Sequence, residues 1–195
     1  MRNRFGLIAA ALALGAIASA QDAAPRQTVS ASVGGKKLSI EYGRPSLKGR
    51  PLDELIKQLP AERIWRAGSE QVTTLATEAP LSVGGKKVAP GKYSVYIYAP
   101  EQGDWALVLN SDLGQPLIKL WDKAPAKLAN EPWPHLEGYS NIAAKEVARA
   151  TMKSGTTTPS AEQFTITLTA NKAGGATALL AWGDRSWSLD LAPAK

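Results

Sequence analysis

Apolar and polar residues alternate with period two in three well-separated runs. Leu38, Ile40 and Tyr42 interleave with Lys37, Ser39 and Glu41; Phe164, Ile166 and Leu168 with Thr165, Thr167 and Thr169; Trp187, Leu189 and Leu191 with Ser186, Ser188 and Asp190. Successive strand side chains point to opposite faces, so each run predicts a half-buried strand. Glycine pairs punctuate the chain. Gly34-Gly35, Gly84-Gly85, Gly174-Gly175 and Gly183-Asp184 supply the positive φ of two-residue hairpins, and Pro90-Gly91 suits the centre of a type II turn. Short strands joined by tight turns, with no βαβ rhythm, predict an all-β fold, an antiparallel β-sandwich or partly closed barrel.

Two regions break the alternation. Leu52, Leu55, Ile56 and Leu59 recur at helical spacing, with Asp53 and Glu54 where a helix N-terminus favours negative charge, so one short capping helix is expected over Leu52 to Leu59. In Ile142 to Met152, Ala, Lys, Glu and Arg favour helix, yet Val147, Arg149 and Thr151 alternate with Ala148, Ala150 and Met152. A strand from about Val147 is the preferred reading. Ser32-Val33-Gly34-Gly35-Lys36-Lys37 recurs letter for letter at Ser82 to Lys87, but the flanks diverge at once, which favours a shared hairpin over a duplicated module.

The N-terminus changes the picture of the chain's ends. Arg2 and Arg4 precede an apolar run from Phe5 to Ala18, and Ala18-Ser19-Ala20 offers the small residues of a cleavage site. At about 14 residues the run is short of the ~20 needed to cross a bilayer. A signal peptide over residues 1–20 is therefore expected, with the mature chain beginning at Gln21, a disordered linker over 21–27, and a single domain over 28–195. That places the protein in the periplasm or outside the cell. The run is not followed by a Cys, so neither a lipid anchor nor any other membrane anchor is expected after cleavage.

Removing the signal lowers the formal charge from +6 to +4, too mild and too dispersed to imply nucleic acid. With no Cys, thiol catalysis and disulfides are excluded. His135 is the single histidine, so any His-based triad must run through it, and no pair of His residues begins a zinc site. No Gly-x-Ser-x-Gly elbow and no phosphate-cradling Gly-Lys-Ser/Thr loop is present. No metal and no cofactor is expected, and the inventory leans away from catalysis. Trp105, Trp121 and Trp182 lie in apolar runs and read as core.

The densest candidate chemistry is Ile40 to Arg50 followed by Trp65-Arg66-Ala67-Gly68. Arg44, Arg50 and Arg66 carry planar forks that match carboxylate or phosphate, Trp65 and Tyr42 offer aromatic surface, and Glu70 is an internal acid for the cations. These six residues are the candidate ligand-binding site, with Arg44 and Arg66 expected to converge. The competing reading is structural: strand-end arginines commonly satisfy buried carbonyls.

Tyr42-Gly43-Arg44-Pro45, Lys48-Gly49-Arg50, Trp65-Arg66-Ala67-Gly68, Val83-Gly84-Gly85-Lys86, Pro90-Gly91-Lys92-Tyr93, Trp105 and Asn110 resemble, in order and spacing, the exported bacterial family catalogued as domain of unknown function 2911. The resemblance covers about Thr28 to Leu191. It implies export and a β-rich fold, and no activity or catalytic residue. Gly43 stands where the family tends to have Ser, Ala67 where it tends to have Thr, and Ser69-Glu70-Gln71 where it tends to read Ala-Asn-Glu.

The function expected from all of this is non-catalytic binding of a small anionic or carbohydrate ligand, or of an envelope partner. Two alternatives stay open: a structural or interaction protein of the envelope that uses Trp133 to Tyr139 as its contact surface, and a hydrolase with an unrecognised site.

Overall fold

The alternating runs form strands with the expected rows inside: Leu38, Ile40, Tyr42 and Phe164 are fully buried, and Ile166, Trp187 and Leu191 nearly so. The computed structural model describes residues 26–135 and 138–194. The expected signal peptide, and residues 21–25 of the expected linker, lie outside the described residues. Arg26 and Gln27, also assigned to that linker, are a correction. They open the first strand, opposite Gly43 and Tyr42, because Arg26 finds a carboxylate partner in Glu41 (3.0 Å) and the Gln27 side chain accepts from the Tyr42 hydroxyl.

In chain order the first strands are β1 (Arg26–Val33), β2 (Lys36–Gly43), β3 (Ile64–Trp65), β4 (Thr74–Thr77), β5 (Leu81–Val83), β6 (Lys86–Val88) and β7 (Gly91–Tyr98). There follow β8 (Ala106–Asn110), β9 (Gln115–Pro116), β10 (Pro132–Trp133), β11 (Glu146–Thr151), β12 (Lys153–Ala170) and β13 (Ala176–Pro193), and the helix α1 is Leu52–Lys57. The larger sheet runs β1-β2-β4-β7-β8-β11 with β3 beside β7, the smaller runs β12-β13-β5-β6, and every pairing is antiparallel. Both sheets keep free ends, so of the two expected architectures the open sandwich is the one present. Its core joins Leu38, Ile40, Leu75, Ile97 and Leu109 of one sheet to Leu81, Phe164, Ile166, Leu180 and Trp182 of the other.

The repeated Ser-Val-Gly-Gly-Lys-Lys segment makes one hairpin in each sheet, β1–β2 and β5–β6, and Gly34, Gly35, Gly84 and Gly85 all take φ between 56° and 79°. Gly183-Asp184 does not reverse the chain. Gly183 (φ 63°) sits inside β13 opposite Ala161, where the β12 register slips, so its positive φ makes a bulge and not a hairpin. α1 buries Leu52 and Ile56 and ends at Lys57; Gln58 and Leu59 only close its last turn. The 142–152 segment is a 3-10 turn at Ala143–Lys145 and then β11, with Ala148, Ala150 and Met152 inside. Trp121, expected in the core, is 49% exposed: it follows a 3-10 turn, Leu117–Lys119, whose inward residue is Leu117.

The larger sheet is covered on its second face as well. Tyr96 and Val108 pack there with Tyr139 and Ile142, contributed by the excursion between β8 and β11. Polar groups collect under this excursion and also beside α1, whose Leu52 and Ile56 join the core.

Candidate functional site

The residues singled out from sequence divide between these places and the core. Tyr42 and Trp65 belong to an aromatic cluster: Trp65 stacks on Trp182 (centroids 5.0 Å apart) and meets Phe164 edge-on at 4.7 Å, and Tyr42 meets Phe164 edge-on at 5.8 Å. The Tyr42 hydroxyl accepts from the Ile166 backbone N–H at 2.8 Å, and burial raises its pKa. Arg44 donates through Nε to the Phe164 carbonyl (3.3 Å) and through Nη2 to Thr165 Oγ1 (3.0 Å), tying β2 to β12. Arg50 donates through Nε to the Leu47 carbonyl (2.9 Å) and holds its own turn. Arg66 lies beside Glu70 and Tyr96, and among the described residues no hydrogen bond or ion pair joins it to Arg44. Of the two arginines expected to converge, Arg44 is anchored on β12, and Arg66 is buried with Glu70 and Tyr96 as its charged and aromatic neighbours.

Arg66 is placed by register. Trp65 pairs with Ile97 and points into the core, so the next residue falls on the opposite face, alongside Tyr96. Burial pulls the Arg66 guanidinium below its usual pKa, while Glu70 and Tyr96 oppose that shift. The turn that follows holds Ala67 (φ 51°) and Glu70 (φ 62°) in the left-handed region. It also approaches β2 closely: a side chain at Gly43 would collide with the Ser69 carbonyl and lie 2.7 Å from Ser69 Oγ. Gly43 and Ser69 thus face each other across this approach.

Tyr96 is 5% exposed, and its hydroxyl has no hydrogen-bond partner among the described residues. Ser94 lies close enough to lower its pKa somewhat, but the Ser94 hydroxyl donates to the Asp112 carbonyl at 2.6 Å. Burial pushes Tyr96 up to about 12. Asp112 is the hub beyond it. One carboxylate oxygen meets His135 Nε2 (3.1 Å) and the Gly114 N–H (2.8 Å), and the other meets Lys145 Nζ (2.8 Å). Burial alone would raise its pKa, but Lys145, Gly114 and His135 together hold it below the ordinary value. Asn110, fully buried, donates to the Ile142 carbonyl (2.8 Å) and to the Tyr139 hydroxyl (3.3 Å), which donates to Glu146 (2.9 Å); Glu62 accepts from the Tyr139 and Ser140 N–H groups. Burial drives the Tyr139 hydroxyl well above its ordinary pKa. The network ties the excursion to the sheet. His135, the single histidine of the sequence, is one of its clasps.

The sandwich end offers a different arrangement. A cleft of about 750 Å³ is bounded by Ile56 and Lys57 of α1, Arg63, the Pro100–Gly103 loop, Ser154 and Thr156 of β12, and Arg185 on β13, with Trp105 and Trp187 at its base. The two indoles stack at 4.2 Å and 8° and are 7% and 4% exposed. Arg63 stands in the left-handed region (φ 55°) and donates through Nε to the Ala99 carbonyl (3.0 Å), while its terminal nitrogens bond nothing among the described residues. Lys57 has no ion-pair or hydrogen-bond partner there either. Arg185 pairs with Asp53 at 2.8 Å. Three cations face two carboxylates, Asp53 and Glu101.

Sequence reasoning passed over these residues because they come from five separate segments. A weak signal existed in Trp105 and Trp187, the one read as core and the other as a strand residue, which become a shared base only when the sheets close. None of the six expected site residues lines this cleft. A family model described as a protein of unknown function (DUF2911) matches residues 24–191, and the chain belongs to that family. No curated protein and no solved structure matches it.

Proposed function

We propose that this DUF2911 member is an exported, non-catalytic binding protein that takes a small anionic ligand with a ring-shaped body, such as a sugar acid or sugar phosphate, in the cleft between α1 and the Trp105–Trp187 pair. The observation that carries the reading is the pairing of Lys57 and the terminal nitrogens of Arg63, both without partners among the described residues, with a cleft of about 750 Å³ over an aromatic base. Ligand cavities usually span ~300–1,000 Å³ and use a few convergent polar groups on a largely apolar lining. The Nε bond to Ala99 fixes the Arg63 fork in advance, so less side-chain freedom is lost when a carboxylate or phosphate docks. The left-handed backbone at Arg63 is a strain of the kind that collects at ligand clamps. The basic, apolar and small-residue order of residues 1–20 supports export.

The test is a thermal-shift and calorimetric comparison of glucuronate and glucose 6-phosphate with glucose. The anions raise the melting temperature and glucose does not, and Arg63→Ala and Lys57→Ala each weaken anion binding about tenfold or more. Equal shifts with glucose, or full binding by both variants, refute the reading.

A further inference from the structure

We infer that the cleft continues past the Asp53–Arg185 pair into a second cavity, and that the two form one groove for a linear oligosaccharide whose acidic residue sits at the Lys57–Arg63 end. The inference rests on the ligand-binding reading above and extends it from a small molecule to a chain. The second cavity, about 510 Å³, is lined by Arg50, Leu52, Ser160, Glu162 and Asp184, and it shares Asp53 and Arg185 with the first. The cavities are consecutive along the β12–β13 ribbon, the first beside residues 154–156 and 185–187 and the second beside 160–162 and 183–185. α1 and its N-terminal flank form the other wall of both. The only groups common to the two cavities are the two partners of the ion pair, which joins α1 to β13 across the groove at 2.8 Å.

That bar is easily displaced. Its side chains are 43% and 57% exposed, and exposed pairs of this kind contribute little to stability. Once parted, Asp53 and Arg185 offer an acceptor and a donor to a ligand lying across them. The two halves differ in sign: three cations against two carboxylates in the first, and Arg50 and Arg185 against Asp53, Glu162 and Asp184 in the second. A chain with an anionic residue in the first half and neutral residues in the second meets both. Sugar hydroxyls donate and accept at once, so they are matched by guanidinium and carboxylate groups interspersed with Ser154, Thr156 and Ser160. An extended peptide would need a regular strand edge to pair with. β12 is an edge strand, but its register slips between Thr156 and Ala161, and Pro159 lacks an N–H, so strand addition is blocked there.

Calorimetric titration of the mature protein with xylan-derived oligosaccharides of two, four and six residues, each carrying a single glucuronate at one end, tests the groove. Affinity rises at least tenfold from the disaccharide to the hexasaccharide. Ser160→Trp, which puts bulk in the second cavity from an exposed position, lowers hexasaccharide affinity to that of the disaccharide; Asp184→Trp serves in its place if the Ser160 variant melts early. Disaccharide binding that Lys57→Ala weakens, with no gain on lengthening, overturns the groove and leaves the single-cleft reading standing. No binding at any length overturns both. Equal binding of a chitin hexasaccharide, which has no acidic residue, overturns the placement of the acid at the Lys57–Arg63 end.

Discussion

The Asp112 network and the α1 cleft are built from the same kinds of residue and use them in opposite ways. Under the excursion, the Asp112 side chain is 10% exposed and both of its oxygens are engaged, Glu146 is held by the Arg149 fork at 2.8 and 2.9 Å, and Asn110 is fully buried with its amide donated twice. At the cleft, Lys57 and the Arg63 terminal nitrogens have no partner among the described residues, and the Asp53–Arg185 ion pair is half in water. Charges that the fold has already paired, away from solvent, hold segments together. Charges that a fixed scaffold leaves unpaired beside a cavity are the ones a ligand can engage.

The sharpest way to break this contrast is to remove the hub. Asp112→Ala removes the acceptor of the Gly114 N–H and the carboxylate that His135 and Lys145 share, and the loss of a mostly buried, hydrogen-bonded charge costs about 2–4 kcal/mol. Denaturant melts show this as a lower midpoint. Native-state hydrogen exchange places the loss in 111–146, not in the sandwich core. A change below 0.5 kcal/mol would mean that the network is decoration and that the two regions do not differ in kind.

Sequence reading reached the sandwich because its evidence is local: period-two alternation at Leu38–Tyr42 and Phe164–Leu168, and paired glycines at Gly34-Gly35 and Gly84-Gly85, act within a few residues. It misread Gly183-Asp184 because a positive φ serves a bulge as well as a turn, and only the continuation of β13 decides which. It grouped Arg44 with Arg66 because the two are near in sequence, whereas β3 turns Arg66 to the outer face and Arg44 reaches across to β12. Arg63, Trp105, Ser154 and Arg185 meet only through tertiary closure. No local pattern marks such a meeting.

Acid separates the regions next. The network carboxylates all have depressed pKa values: Glu62 through the Ser140 and Tyr139 donors, Asp112 because Lys145, Gly114 and His135 outweigh the opposing effect of burial, and Glu146 chiefly through Arg149. A depressed carboxyl contributes stability that is complete above its ordinary value, 3.8 for Asp and 4.5 for Glu, and is lost as the pH falls through the lower folded value. Exchange protection in 138–146 is therefore expected to fail below about pH 4, before the β2, β7 and β13 core opens. Simultaneous loss everywhere would show that the excursion is not a separate unit.

The smallest expected effect is the most telling for the cleft. Lys57→Ala removes a cation that is exposed, unpaired and placed at the last residue of α1, where a positive charge adds a few tenths of a kcal/mol at most. Stability should stay within ~0.5 kcal/mol of the parent, the range for surface positions without special roles, while the affinity for glucuronate falls. The two readouts discriminate because a residue that holds the fold moves stability and binding together, whereas a residue that only meets the ligand moves binding alone. A drop in melting temperature as large as that of Asp112→Ala would place Lys57 with the network residues, among charges already committed to the fold, and would leave the ligand-facing role to Arg63.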